Sequence, residues 1–194
     1  NGQSCNVRRT ATKMLTSQIL LKEVIQYKAD MRYRNDMETD LADNDIRFTK
    51  LSEYRQECED ALKVITNQSI LHEIALSGST EWLRELAVNC LTDQKILSDI
   101  AKTSKLSDVR EVAVKRLTDE EVIGHIAKFD KDEKVREAAF SCLVDQTVLS
   151  DVARWSLFPE IRKMAVGCIH DPDIIALVAQ EDTEKNVRIA AIQH

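Results

Sequence analysis

The sequence predicts an all-α protein, a right-handed α-solenoid of about seven and a half two-helix repeats. The first indication is an apolar pattern that returns every 26 residues over much of the chain. The second is composition: only 4 glycines and 2 prolines occur in 194 residues, which leaves little turn chemistry for hairpins or linkers. The third is helical spacing of the apolar residues within each repeat.

Eight repeats can be aligned on their opening residue, and the step between them is 26 residues from Leu83 onward. They begin at Val7, Tyr33, Glu57, Leu83, Val109, Val135, Ile161 and Val187. The stretch 33–56 is degenerate, and the last repeat is truncated after one helix. We therefore expect a single α-solenoid domain over residues 1–194.

Each repeat reads as two short helices with a polar break between them. Apolar residues at positions one, five, six and nine follow helical spacing, and the pattern resumes at position fourteen, as in Val122 and Ile123. In the break, Thr118 and Glu121 match a capping box. Position five is alanine in seven of the eight repeats, which favours close helix packing. Helices this short are unstable alone, so the repeats must stack.

These features resemble the α-solenoids built of HEAT-like repeats. The short period and the Val-Arg opening are also similar to the variant leucine-rich repeat family. The resemblance covers nearly the whole chain and is strongest from Leu83 to Gln193. Because typical HEAT units are longer, it implies an architecture rather than one particular activity.

Two polar residues recur with the repeat and invite a functional interpretation. Position two is arginine in seven of eight repeats, including Arg84, Arg110, Arg136, Arg162 and Arg188. This ladder could clasp phosphates, but we favour a structural role, with each arginine binding the carbonyls and acidic side chains of the preceding turn. Position eleven is acidic at Asp43, Asp93, Asp119, Asp145 and Asp171, where helix capping is preferred over binding of a metal or a basic peptide.

The candidate partner contacts lie on the second helices and in the turns. Asp99, Lys102, Asp151 and Arg154 would either pair within their helices or present a row of alternating charge to an extended partner. Trp82, Trp155 and Phe158 are candidate contact hot spots. For Trp155 and its neighbours, burial against the next repeat is the interpretation we favour.

Several classes of chemistry find no support in the sequence. The net charge of −6 argues against nucleic acid and anionic membranes, and no apolar run is long enough to span a bilayer. No catalytic, cofactor-binding or metal-binding motif occurs, so we expect no cofactor. Cys90, Cys142 and Cys168 share position eight and are expected to be free and buried, which favours the cytoplasm.

The sequence thus predicts a non-enzymatic scaffold that binds a protein or peptide. The alternative is a nucleic-acid-binding, DNA-repair type of HEAT-like protein that uses the repeated arginines on phosphates. Ile189 and Ile192 of the truncated last repeat would lie uncovered. We therefore expect either a segment of a longer repeat protein or end-to-end self-association.

Overall fold

The computed structural model describes residues 21–23, 25, 26, 53 and 55–194. The repeat starts Val7 and Tyr33, and nearly all of the degenerate stretch 33–56, lie outside the described residues. The chain divides into two compact units, residues 1–93 and 94–194, which are described separately. One continuous domain stays a prediction.

The described part of the first unit is helical. Residues 55–62 form one helix, followed by α1 (Gln68–Ser77) and α2 (Glu81–Cys90). Residues 21–23 and 25–26 are also helical, and Lys22 forms an ion pair with Glu73 of α1. Helices α1 and α2 pack directly against each other.

The second unit consists of eight consecutive helices. They are α3 (Gln94–Thr103), α4 (Ser107–Val114), α5 (Glu120–Phe129), α6 (Glu133–Ser141), α7 (Gln146–Trp155), α8 (Pro159–Val166), α9 (Pro172–Glu181) and α10 (Lys185–Gln193). Successive helices pack in pairs, and α4, α6, α8 and α10 stack in one layer while α3, α5, α7 and α9 stack in the other. Because the described residues contain helices and no strands, and consecutive pairs stack, the predicted α-solenoid fold is confirmed.

The alanines at position five lie in the core, as predicted. All described members are buried: Ala61 and Ala87 in the first unit, and Ala113, Ala139, Ala165 and Ala191 in the second. A methyl group at this point lets neighbouring helices approach closely. In contrast to these buried alanines, Ile192 in α10 is exposed to solvent, as the sequence predicted.

A glycine allows a close contact between two helices of the second unit. Gly124 of α5 faces Val148 of α7, and a Cβ atom at residue 124 would overlap the Val148 Cγ1 methyl. The conflicting atom belongs to a stiff β-branched side chain that cannot move away by a small rotation. The absence of a side chain at Gly124 therefore sets the distance between α5 and α7.

We expect Gly124→Ala to destabilise the protein by about 1–3 kcal/mol, although alanine is the better helix former. Urea denaturation followed by circular dichroism measures the change. In a Val148→Ala background, Gly124→Ala should lower the free energy of unfolding by less than it does in the parent, because the Val148 Cγ1 methyl is absent. If Gly124→Ala is as stable as the parent, the close contact does not limit packing.

A set of side chains that was not predicted from the sequence joins each repeat to the next. Position twelve carries Gln68, Gln94, Glu120 and Gln146, each at the start of a second helix. Each side-chain oxygen accepts one or two backbone amide hydrogens from the turn of the following repeat. Glu120 Oε2, for example, lies 3.0 Å from the amide nitrogen of Val144 and 2.7 Å from that of Asp145. These bonds satisfy amides that the turn itself leaves without partners.

Aspartates at position eleven cap the second helices. Asp119 accepts from the amide of Val122, Asp145 from those of Thr147 and Val148, and Asp171 from those of Asp173 and Ile174. Asp93 directly precedes α3, and its amide donates to Gln68. The predicted capping box of Thr118 and Glu121 is wrong. Asp119 is the N-cap of α5, and both the amide and the hydroxyl of Thr118 are hydrogen-bonded to Gln94.

Candidate functional site

The arginines at position two are built into the stack. Arg110, Arg136 and Arg162 are only 2%, 5% and 8% exposed. In the five described repeats that carry this arginine, its Nη1 donates to the carbonyl oxygen six residues earlier, in the turn that precedes its helix. The acceptors are Gly78 for Arg84 (3.0 Å), Ser104 for Arg110 (2.9 Å), Asp130 for Arg136 (3.1 Å), Ser156 for Arg162 (2.9 Å) and Asp182 for Arg188 (2.7 Å).

Two of these arginines also hold a buried carboxylate in a bidentate pair. Arg110 donates Nε and Nη2 to Asp130, both at 2.8 Å, and Arg162 donates to Asp182 at 2.7 and 2.9 Å. Each carboxylate lies 20 residues after its arginine. The prediction that the acidic partner belongs to the preceding turn is therefore wrong for both. The hydrogen bonds that each arginine donates to its carboxylate raise the pKa of that arginine, so the guanidinium stays charged.

Arg136 has a different environment. Its Nη2 lies 3.0 Å from Glu160 Oε1, and its guanidinium carbon lies 3.5 Å from the centroid of the Phe158 ring. Phe158 is consequently half-buried beneath Arg136. The contact with Arg136 covers part of the Phe158 ring and so limits how much of that ring a partner can reach.

Acid should weaken the second unit through Asp182. Burial alone would raise the pKa of Asp182, but hydrogen bonds from Arg162 and the Glu184 amide outweigh it and hold that pKa below its usual value. A lowered folded-state pKa stabilises the protein above the unfolded pKa, near 4, and this contribution is lost as the pH falls through the folded-state pKa.

We therefore expect the free energy of unfolding to decrease as the pH falls below about 4. Asp182→Asn should be less stable than the parent at neutral pH and should show a flatter acid limb. Urea denaturation across this pH range measures both effects. Glu181→Gln, a change at the exposed neighbouring residue, is the control and should keep the steep acid limb. Parallel curves for Asp182→Asn and the parent would contradict the assignment.

A second cluster of charged and aromatic side chains lies at the ends of α3, α5 and α7 and in the turns after them. We call it the basic-aromatic edge and define it as Lys102, Lys105, Lys128, Phe129, Lys131, Arg154, Trp155 and Leu157. Trp155 is 56%, Leu157 68% and Phe129 41% exposed. The interpretation that Trp155 is buried against the next repeat is therefore wrong. All three side chains therefore leave apolar surface open to solvent, although the Phe129 ring also contacts the His125 ring.

Two clefts open along this edge. One of about 340 Å³ lies between the ends of α3 and α5 and is lined by Lys102, Lys105, Lys131, His125 and Phe129, with Arg110 and Asp130 beneath them. The other, of about 280 Å³, lies between the ends of α7 and α9 and is lined by Arg154, Trp155, Leu177 and Val178, among others. Each cleft thus has an aromatic ring in its wall.

The remaining predicted contacts occupy varied positions. Asp99 and Asp151 are exposed, but their expected ion pairs with Lys102 and Arg154 are absent from the described residues. The Arg154 guanidinium carbon instead lies 4.7 Å from the Trp155 ring centroid. Trp82, in the first unit, is half-buried with Arg55 above its ring.

The cysteines correct another expectation. Cys142 and Cys168 are free thiols, but Cys168 is exposed and both Cys90 and Cys142 are only partly buried. Partial burial raises the pKa of the Cys142 thiol, which keeps it protonated and poorly nucleophilic. The cytoplasmic location stays a prediction.

Comparison with protein-family models, with curated proteins and with solved structures finds no match. In the described part of the chain, no three His, Cys, Asp or Glu side chains are grouped so that they could hold a metal ion. None of the helices described there has the length and apolar character needed to cross a membrane.

Proposed function

We propose that this chain is a non-enzymatic, HEAT-like repeat scaffold that binds a protein or peptide along the basic-aromatic edge. One observation carries the proposal: three large apolar side chains, Phe129, Trp155 and Leu157, are exposed together beside basic residues. Aromatic side chains next to arginine and lysine are typical of protein contact surfaces. The open clefts suit an extended ligand better than a small enclosed substrate.

The division of labour among side chains supports the same function. The repeated residues at positions two, five, eleven and twelve are used in stacking, capping and turn contacts. The residues of the basic-aromatic edge vary from repeat to repeat, with Thr103, Phe129, Trp155 and Glu181 all at position twenty-one. Variation at a solvent-exposed position on a constant framework is what recognition of a specific partner requires.

The nucleic-acid alternative meets a physical difficulty. It requires arginine guanidinium groups that are free to contact phosphates. Arg110 and Arg162 are buried and their donors are directed to carbonyl and carboxylate oxygens. Opening these pairs would expose the core of the stack, so phosphate binding by the arginine ladder is disfavoured.

Random-peptide display against the folded chain tests the proposal. We expect enrichment of a peptide family that binds the parent and loses most of its affinity for Trp155→Ala, while Trp82→Ala, in the first unit, retains it. Failure to enrich any peptide over a heat-unfolded sample would overturn the proposal. If single-stranded or duplex oligonucleotides bind more tightly than the selected peptides at physiological salt, the nucleic-acid-binding function replaces the proposal.

A further inference from the structure

We infer that the basic-aromatic edge binds a short acidic peptide in an extended conformation. Its acidic residues would lie in the cleft between α3 and α5, and its apolar residues would cover Trp155 and Leu157. This inference rests on the proposed function and names the chemical class of the partner for the same surface.

The rim of the cleft between α3 and α5 carries three lysines that have no ion-pair partner among the described residues. They are Lys102, Lys105 and Lys131, and all three are exposed. Asp130 is the one carboxylate among the described lining residues, and its charge is neutralised by the bidentate bond to Arg110. Three ammonium groups around one concave surface attract anions.

Helix electrostatics do not explain all three lysines. Lys102 lies in the last turn of α3, where a cation is stabilised by the negative end of the helix dipole. Lys105 and Lys131 lie just before the N-caps of α4 and α6, Leu106 and Asp132. A helix N-terminus is itself positive, so the positive charge of these two lysines does not stabilise the helices that follow them. An anionic partner would stabilise them.

The apolar part of the surface adjoins the positive part. The amide of Leu157 donates to the carbonyl oxygen of Lys128 at 3.2 Å, so the turn after α7 lies against the end of α5. Lys128 and Arg154 stack on Phe129 and Trp155, with 5.8 and 4.7 Å to the ring centroids. These cations orient the rings and leave much of each ring open to solvent.

The dimensions fit a short peptide. Neighbouring helices in a stack are about 8–10 Å apart, so the ends of α3, α5 and α7 span about 20 Å. An extended chain advances about 3.3 Å per residue, and about six to eight residues would cover this distance. Acidic residues at one end and apolar residues at the other would match the order of lysines and rings along the edge.

A peptide fits the surrounding charges better than a nucleic acid does. Asp99 and Asp151 are exposed on the helices that carry the edge, and Glu181 lines the next cleft. A strand of phosphates would continue past the lysines and meet these carboxylates, on a chain whose net charge is −6. A peptide can confine its negative charge to the lysine-lined cleft.

Fluorescence anisotropy with the full chain and a defined probe tests this inference. The probe is a fluorescein-labelled peptide of about eight residues, with aspartates and glutamates in one half and leucine and phenylalanine in the other. A peptide with lysines in place of the acids is its control. The test variant is Lys102→Glu/Lys131→Glu. The matched control, Lys163→Glu/Lys185→Glu, makes the same charge change at exposed residues of α8 and α10.

We expect the test variant to raise Kd for the acidic probe by about tenfold or more and the control variant by no more than about twofold. In a Trp82→Phe background, the probe should also shift the emission of Trp155. Equal effects of the two double variants, or equal binding of the lysine peptide, would overturn the inference. If display selects peptides that are not acidic or do not need Lys102 and Lys131, the inference fails while the proposed scaffold function stands. If no peptide binds, both fail.

Discussion

Ala113→Asp is expected to unfold the second unit. Ala113 is fully buried in α4, where a new carboxylate would be cut off from water and would displace close packing. The cost of burying it, or of holding it protonated in the core, is more than about 4 kcal/mol. Since a whole domain is stable by only about 5–15 kcal/mol, far-UV circular dichroism should show a large loss of helix or a much lower urea midpoint.

Ala176→Asp is the matched control, because Ala176 is an exposed residue of another helix, α9. It should cost only the difference in helix propensity, about 0.7 kcal/mol. If Ala113→Asp unfolds at the same urea concentration as the parent, position five does not face the core and the repeat register is wrong.

Arg110→Met should be the second most damaging change. It leaves Asp130 buried without its cation, and removing one partner of a buried pair costs about 3–5 kcal/mol. Adding Asp130→Asn should recover about 1–3 kcal/mol, because the amide is uncharged and its oxygen can still accept from the Asp132 amide. Urea denaturation of the parent, both single variants and the double variant gives the coupling energy.

The exposed pair of Lys115 and Glu111 provides the comparison. Lys115→Met removes one partner of an ion pair that lies at the surface, and we expect a loss of less than about 0.5 kcal/mol. If Arg110→Met lowers the free energy of unfolding by as little as Lys115→Met, the buried pair contributes no more to stability than the exposed pair.

Much of the framework could be predicted from the sequence, because it depends on residues that recur. The constant alanine and the apolar positions reveal which faces are buried, whatever the details of packing. The position-two arginines could be assigned to the preceding turn because helix C-termini always present free carbonyls. The position-twelve residues carried the same kind of signal, since Gln68, Gln94, Glu120 and Gln146 recur with the repeat, but a polar side chain at a helix start was not recognised as a link to the next turn.

The remaining features depend on the partner of each side chain, which a single position does not reveal. Asp130 follows Arg110 by 20 residues, and only the three-dimensional stack brings its carboxylate onto that arginine rather than onto Arg136. Trp155 could equally be buried or exposed, because its environment depends on the volume of side chains in α5 and α9. Cys168 is exposed although it shares position eight with the partly buried Cys90 and Cys142, so the position within the repeat does not fix burial either.

The arginine contacts also bear on how such a protein changes length. The pair of Arg110 with Asp130 lies within one 26-residue repeat, and so does the pair of Arg162 with Asp182. Each arginine otherwise needs only a carbonyl oxygen from the preceding turn, and a backbone carbonyl is present there whatever the sequence. Excising residues 135–160 would join two repeats that each retain their own counter-ion. Gene duplication or deletion in whole repeats therefore leaves no buried charge without its partner, whereas a cut inside a repeat separates the guanidinium from its carboxylate.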